Sequence, residues 1–111
     1  MGDELKLLMG PVSVGAAGTH PFIFKHDVKA KASMIDNIQA EILSGTQTGV
    51  VTVRWGNAED MTRTIHNDAL TAAEPFTAIN PKRVLYPGQV ITISFASVTA
   101  GDVVQASIGG H

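Results

Sequence analysis

Four histidines are the residues of this chain with the clearest capacity for metal chemistry, since imidazole is the commonest protein ligand for transition metals. His20 and His26 are six positions apart and have no carboxylate at helical spacing. His66 and Asp68, at positions i and i+2, would point to the same side of a strand, and His111 ends the printed sequence. Two ligands do not complete a metal site. The sequence therefore predicts no metal site and histidines that lie in solvated loops.

Serines and acids also lack the spacing that would activate them for catalysis. There is no G-x-S-x-G turn, and Glu59 and Asp60 lie in a predicted turn where both would be ionised and solvated. The glycine-rich stretches 15–18 and 109–110 lack the following helix that a phosphate-binding loop needs. A small cupin-like enzyme would need more histidine and carboxylate ligands than the strands offer. We predict a protein that is not an enzyme and that uses no cofactor.

The single tryptophan, Trp55, has two interpretations. An exposed indole could act as a platform for a sugar ring or as a hot spot of an interface. However, Trp55 is in phase with Val51 and Val53, and a large ring in phase with core positions usually packs inside. We predict that Trp55 is a core residue beneath the face formed by Ile91, Ile93 and Phe95.

The elements that would position these residues are strands, and the clearest lie near the end of the chain. Apolar and polar residues alternate through 90–96 and again through 103–108, which is the period of a strand with one face on a core. Pro87-Gly88 fits the central positions of a type II turn, and Gly101-Asp102 separates the two runs. The pattern predicts a long antiparallel hairpin.

Shorter runs upstream have the same alternation and few strong helix signals. We predict strands over 21–25, 27–35, 38–43, 50–55 and 61–66, with a turn at 36–37. Residues 67–81 are predicted to form a long connection, in which Thr71 and Glu74 resemble a capping box for a single helical turn before Pro75. The fold class predicted is all-β: an antiparallel β-sandwich or jelly roll of about seven to eight short strands, with an extended N-terminal arm.

The N-terminal segment has no sustained period, because several glycines and a proline interrupt it. Residues 1–20 are either a loosely held terminus or an arm that docks on a neighbouring subunit, and residues 21–111 are predicted to form the sandwich domain. The apolar tip of the segment would be costly to leave in water. The candidate assembly contacts are Leu5, Leu7, Leu8, Met9, Phe22 and Phe24.

Composition restricts the partners that the chain could have. Only 16% of its 111 residues are charged, the net charge is −2 and there is no cysteine. Because nucleic-acid binding depends on neutralising phosphates, we predict no nucleic-acid partner. No apolar run is long enough for a membrane span, and the acidic start, residues 1–4, does not resemble a signal peptide. The low charge indicates either an oligomer or assembly component, or simply a surface rich in Thr and Ala.

Three segments, VVTVRWGN at 50–57, RVLYPGQVITISF at 83–95 and GDVVQASIGG at 101–110, resemble the small jelly-roll-like head decoration (cement) proteins of tailed bacteriophages. The resemblance implies a non-enzymatic structural protein of the virion. Such a protein is made in the host cytoplasm, binds the outer capsid surface, commonly as a homotrimer, and clamps neighbouring copies of the major capsid protein. The alternative is a ligand-binding β-sandwich module of a phage fibre or adhesin, which would recognise a glycan or receptor through Trp55 or Tyr86.

Overall fold

The computed structural model describes residues 4–111, which form nine strands in two antiparallel sheets. The first sheet has the order β1-β9-β3-β6, with β7 also paired to β3, and the second has the order β2-β8-β4-β5. The strands are β1 Leu5–Ser13, β2 Gly18–Lys25, β3 Ser33–Ser44, β4 Gly49–Gly56, β5 Thr62–Leu70, β6 Phe76–Ile79, β7 Arg83–Leu85, β8 Val90–Val98 and β9 Val103–Gly110.

Successive strands repeatedly cross from one sheet to the other, which gives the two sheets a jelly-roll-like connectivity. The predicted all-β sandwich is confirmed, with nine strands in place of seven to eight. Three strands are additional: β1 in the predicted arm, β6 in the predicted long connection and β7 just after it. The two strands predicted at 27–35 and 38–43 are replaced by one, β3. Within 4–111 no helix is long and apolar enough to cross a membrane.

The core lies between the two sheets and is built from the inward residues of the central strands. In the second sheet Val51, Val53 and Trp55 of β4 are in register with Phe95, Ile93 and Ile91 of β8. Ile38, Ala40 and Ile42 of β3, paired with Ile108, Ala106 and Val104 of β9, oppose them from the first sheet. Trp55 is 3% exposed, which confirms its prediction as a core residue. Burying each large side chain contributes roughly 1.5–3 kcal/mol.

The predicted hairpin of the last two strands is wrong, although both strands exist. β8 lies between β2 and β4, whereas β9 lies between β1 and β3 in the other sheet. The turn at Thr99–Asp102, with Gly101 at φ 92°, therefore connects the two sheets. Because both strands are central, their backbone groups pair with other strands. The turn predicted at Pro87-Gly88 is confirmed, since Gln89 N donates to Tyr86 O over 3.0 Å and Gly88 has φ 85°.

Much of the segment predicted as an N-terminal arm belongs to the sandwich. Leu5–Ser13 form β1, an edge strand paired with β9, and the boundary predicted at residue 20 falls inside β2. The apolar residues of β1 alternate, so that Leu5, Leu7 and Met9 pack against the core. Met1, Gly2 and Asp3, the first residues of the predicted arm, lie outside the described residues.

Three other segments differ from their predicted structure. Residues 26–32 form a loop in place of a strand, because the Asp27 carboxylate accepts a hydrogen bond from Lys29 N at 2.9 Å and Asp27 O accepts one from Ala30 N at 3.0 Å. The turn predicted at 36–37 is an irregularity within β3. At 71–74 a tight turn replaces the helical turn, since Thr71 and Glu74 exchange both of their backbone hydrogen bonds.

Candidate functional site

Three loops meet at one end of the sandwich because antiparallel strands return to that end. They are the β2–β3 loop at 26–32, the β4–β5 loop at 57–61 and the β7–β8 loop at 86–89. We call this end the Gln89 end, after the residue that connects its loops. Loops placed on a rigid scaffold are the usual carriers of binding function in small β domains.

The Gln89 side chain joins parts of the chain that are distant in sequence. Its Oε1 accepts hydrogen bonds from Tyr86 N at 2.9 Å and from Trp55 Nε1 at 3.4 Å. Its Nε2 donates to Asn57 Oδ1 over 3.0 Å. The Gln89 backbone carbonyl accepts a bond from His26 N at 2.9 Å. One amide side chain and its own backbone therefore connect all three loops.

The Trp55 ring belongs to the core and contacts the Gln89 end through its hydrogen bond to Gln89. The Arg83 guanidinium lies over that ring, with its Cζ 5.1 Å from the ring centroid. Such a cation–π contact contributes about 0.5–1 kcal/mol at exposed sites and more where it is desolvated. The indole therefore joins the core to the loops, and its buried position rules it out as an exposed sugar platform.

Large apolar side chains project into solvent from each of the three loops. Val28 is 68% exposed, Met61 68% and Tyr86 58%. A Cβ built at Gly88 would lie 3.4 Å from Val28 Cγ1, so the 26–32 loop packs on the Pro-Gly turn. Exposed apolar groups held on a rigid base are suited to docking against another surface.

The opposite end of the sandwich is held by Asp102, which is 1% exposed. Its carboxylate accepts hydrogen bonds from Thr46 N at 2.8 Å, from Thr46 Oγ1 at 2.9 Å and from Thr99 N at 2.9 Å. Burial raises the pKa of Asp102, but these hydrogen bonds outweigh it and hold the pKa below its ordinary value. Since these bonds close its own turn at Thr99 and fix the β3–β4 loop at Thr46, Asp102 is a structural group.

Neither Gln89 nor Asp102 was identified as a connecting residue from the sequence. The available signals were the turns in which they occur, Pro87-Gly88-Gln89 and Gly101-Asp102. A turn signal gives local conformation only. The partners of Asp102 at Thr46 are 56 positions away, and Trp55 is 34 positions from Gln89.

The histidines lie in separate parts of the molecule. His26 is buried and its Nε2 lies 2.7 Å from Lys31 O, whereas His66 Nε2 lies 2.8 Å from Thr77 Oγ1 and links β5 to β6 across the two sheets. These two have structural contacts and are not the solvated loop residues that the sequence predicted. His111 Nδ1 lies 2.8 Å from Asp36 Oδ2. Among residues 4–111 no group of three or more His, Cys, Asp or Glu side chains could hold a metal ion.

The predicted assembly contacts lie on β1 and β2, the strands at the edges of their sheets. Five of the six are half-buried and pack against the core of their own domain. Leu8 is the exception and is exposed. The structure places none of the six in the three loops of the Gln89 end. The five that pack inward are Leu5, Leu7, Met9, Phe22 and Phe24.

No protein-family model matches the chain, and no curated protein matches it significantly. Solved structures do match. The chain is similar to the Yersinia pseudotuberculosis-derived mitogen, with 6% identity over 99% of this chain and 86% of that chain, and a TM-score of 0.55. It is also similar to PirA, with 10% identity over 97% and 93%, and a TM-score of 0.50. The Drosophila NLP core is 19% identical over 85% and 96%, with a TM-score of 0.46. At these identities the similarity describes the fold alone.

Proposed function

We propose that this chain is a non-enzymatic structural protein of a virion, which binds the outer surface of a phage capsid and clamps neighbouring copies of the major capsid protein. In this proposal it is made in the host cytoplasm and acts as a homo-oligomer, with a trimer favoured. The observation that carries the proposal is the exposure of Val28, Met61 and Tyr86 on three connected loops.

The physical argument begins with the cost of that exposure. Three large apolar groups in water are unfavourable, and burying each of them against a partner would contribute roughly 1.5–3 kcal/mol. Because Gln89 already orders the loops, little conformational entropy is lost on docking. An oligomer would bring several such ends to one lattice, and multivalency makes individually weak contacts slow to release.

Cosedimentation with capsids that lack the protein tests the proposal. The variant combines Val28→Ser, Met61→Ser and Tyr86→Ser, and the matched control is Leu8→Ser, an equally apolar exposed residue outside the Gln89 end. We expect the triple variant to lose capsid binding with an unchanged melting temperature, whereas the control binds normally. If the triple variant coats particles as the wild-type protein does, the Gln89 end is not the docking surface. If the wild-type protein does not bind, the capsid role is wrong.

A second candidate function is recognition of a glycan or receptor as a module of a phage fibre or adhesin. The exposure of Tyr86 favours it, because its ring could stack on a sugar. The other platform suggested by the sequence, Trp55, is buried and cannot stack on an external ligand.

A further inference from the structure

The outer face of the β1-β9-β3-β6 sheet has a groove where its central strand carries only small side chains. In β9 the outward positions include Ser107 and Gly109. Lys6 of β1 and Asn37 of β3 flank Gly109 in register, and Leu8 and Gln39 flank Ser107 in the same way. Since neighbouring strands are about 4.8 Å apart, the two walls stand roughly 10 Å from each other. The resulting groove has a volume of about 420 Å³.

The size of this groove is in the range of small-molecule sites, which are typically about 300–1,000 Å³. Its floor depends on the glycine. A Cβ built at Gly109 would lie 3.0 Å from both Asn37 Nδ2 and Asn37 Oδ1, so any larger residue would displace the amide that forms the wall. The groove continues along β9 into a smaller depression lined by Gln39, Glu41, Gln105 and Phe76.

The charges beside the larger groove are paired within the protein, whereas the Glu41 carboxylate of the smaller depression has no ion pair among the described residues. Lys6 Nζ lies 3.4 Å from Glu4 Oε1, and Asp36 lies 3.8 Å from Lys82 Nζ and 2.8 Å from His111 Nδ1. The paired charges do not favour a strongly anionic or cationic ligand in the larger groove, and Glu41 disfavours an anionic one in the depression. A carboxylate also accepts hydrogen bonds from the hydroxyls of a neutral ligand. The uncharged groups of the groove are the Asn37 amide and the Ser107 hydroxyl, with the Gln39 amide at the junction with the smaller depression.

Amides and hydroxyls offer donors and acceptors side by side, which is the pattern that pairs of sugar hydroxyls require. The Phe76 ring is 47% exposed and lies across Glu41 in the register, beyond the amide wall. An exposed ring can pack on the apolar C–H face of a sugar in the way that it packs on other apolar surfaces. The groove and the depression together therefore combine neutral hydrogen-bonding groups, one carboxylate, a floor of small residues in the larger part and one apolar ring.

We propose that the groove along β9 binds a neutral oligosaccharide, with Asn37, Gln39 and Ser107 as hydrogen-bonding residues and Phe76 as an apolar subsite. The ligand lies along the strand direction, because the groove and the smaller depression share Ser107 and follow β9. This site is separate from the Gln89 end and does not depend on capsid binding.

NMR titration of the full chain with cellohexaose, maltohexaose, chitohexaose and mannohexaose tests the proposal. We expect at least one of these probes to give saturable shifts, centred on β9 and β3, at concentrations up to about 10 mM, which covers weak sites with millimolar Kd. Asn37→Ala and Phe76→Ala should each raise the Kd of that probe by about tenfold or more. Asn67→Ala, on the outer face of the other sheet, is the matched control and should leave the Kd unchanged.

Three results would overturn the proposal. They are a lack of saturable shifts with all four probes, binding that Asn37→Ala and Phe76→Ala leave intact, and binding that is lost in Tyr86→Ala but retained in the groove variants. The third result would place the sugar at the Gln89 end. Melting temperatures of all the variants show whether each is folded, and the exposed position of Phe76 makes its removal the safer of the two groove changes.

Discussion

At the scale of single residues, two polar side chains connect loops through hydrogen bonds, which apolar packing cannot replace. Asp102 at one end and Gln89 at the other each connect loops that begin in different sheets. A hydrogen bond to a charged group contributes about 1.5–3 kcal/mol, whereas a bond between neutral groups contributes about 0.5–1.5 kcal/mol. We therefore expect the Asp102 end to be the more stable of the two.

Asp102→Asn should destabilise the domain by about 2 kcal/mol or more at neutral pH, because the new amide would point a donor at a backbone N–H. The folded-state pKa of Asp102 is lowered, so its contribution is fully present above the unfolded-state value of about 4 and is lost as the pH falls through the folded-state value. Urea unfolding at a series of neutral to acidic pH values measures the free energy of unfolding of both proteins. The difference in unfolding free energy between the wild-type protein and Asp102→Asn should become smaller below about pH 4. Glu59→Gln, in an exposed turn, is the control.

Gln89→Ala should cost about 1–3 kcal/mol, because it removes two bonds accepted by Oε1 and one donated by Nε2. The change should also speed amide hydrogen exchange in the loops 26–32 and 57–61 while leaving the central strands protected. Gln39→Ala, an exposed amide on β3, should change neither quantity. Equal exchange rates in the loops of the wild-type protein and Gln89→Ala would show that the connection is unimportant.

At the scale of elements, the sequence predicted strands much better than strand partners. The alternation in 90–96 and 103–108 is real, because each of those strands buries one face. Alternation states only that one face is buried and not which sheet covers it. The short turn at Thr99–Asp102 suggested a hairpin, yet Asp102 binds Thr46 of the β3–β4 loop and the turn connects two layers. Contacts between residues far apart in sequence decide such a crossing.

For the candidate site, too, the sequence pattern did not show which distant residues meet in space. Trp55 could be assigned to the core from its phase with Val51 and Val53. Val28, Met61 and Tyr86 have no common spacing, so nothing in the sequence indicated that one end of the sandwich would collect them. The groove along β9 was equally hidden, because Gly109 appeared only as part of a glycine-rich ending and its neighbours in the sheet are Lys6 and Asn37.

Because β1 is a strand of the sandwich, removal of residues 1–20 is expected to disrupt the fold and not to leave it intact. As a separate arm, residues 1–20 could be removed with the fold intact. Residues 5–13 and 18–20 form β1 and the start of β2, which cover the edge of β9 and part of the core, so the shortened chain should lose cooperative unfolding and aggregate. Circular dichroism and solubility after removal of residues 1–20 measure this. A soluble, cooperatively folded fragment would show that β1 is dispensable.

A pair of point substitutions tests the same strand without shortening the chain. Leu7 packs against the core, whereas its neighbour Leu8 is exposed on the opposite face of β1. Leu7→Ser should therefore cost about 1–2 kcal/mol and Leu8→Ser close to nothing, since a half-buried leucine contributes less than a fully buried one. Similar urea midpoints for the two variants would mean that β1 does not hold this register in solution.

At the scale of the whole molecule, the outer faces of the two sheets differ. The outward positions of the described strands β2, β8, β4 and β5 hold only two charged residues, Lys25 and Arg54, and no carboxylate. Arg54 lies against its own sheet, with Nε 2.9 Å from Thr62 Oγ1 and Nη1 2.9 Å from Thr64 Oγ1. The other outward residues on this face are mostly small, and Ile23 is exposed among them. A face with few charges and mostly small side chains is suited to contact between copies of the chain.

We therefore expect the purified chain to be a homotrimer at micromolar concentration that buries this face. Ile23→Asp would place a carboxylate in the apolar part of the interface, where desolvation is costly, and should give monomers with an unchanged fold. Leu8→Asp, on the outer face of the other sheet, is the matched control and should remain trimeric. Size-exclusion chromatography with light scattering distinguishes these outcomes. A wild-type protein that is strictly monomeric would contradict the trimer. A trimer that survives Ile23→Asp and dissociates with Leu8→Asp would place the interface on the sheet that carries the groove.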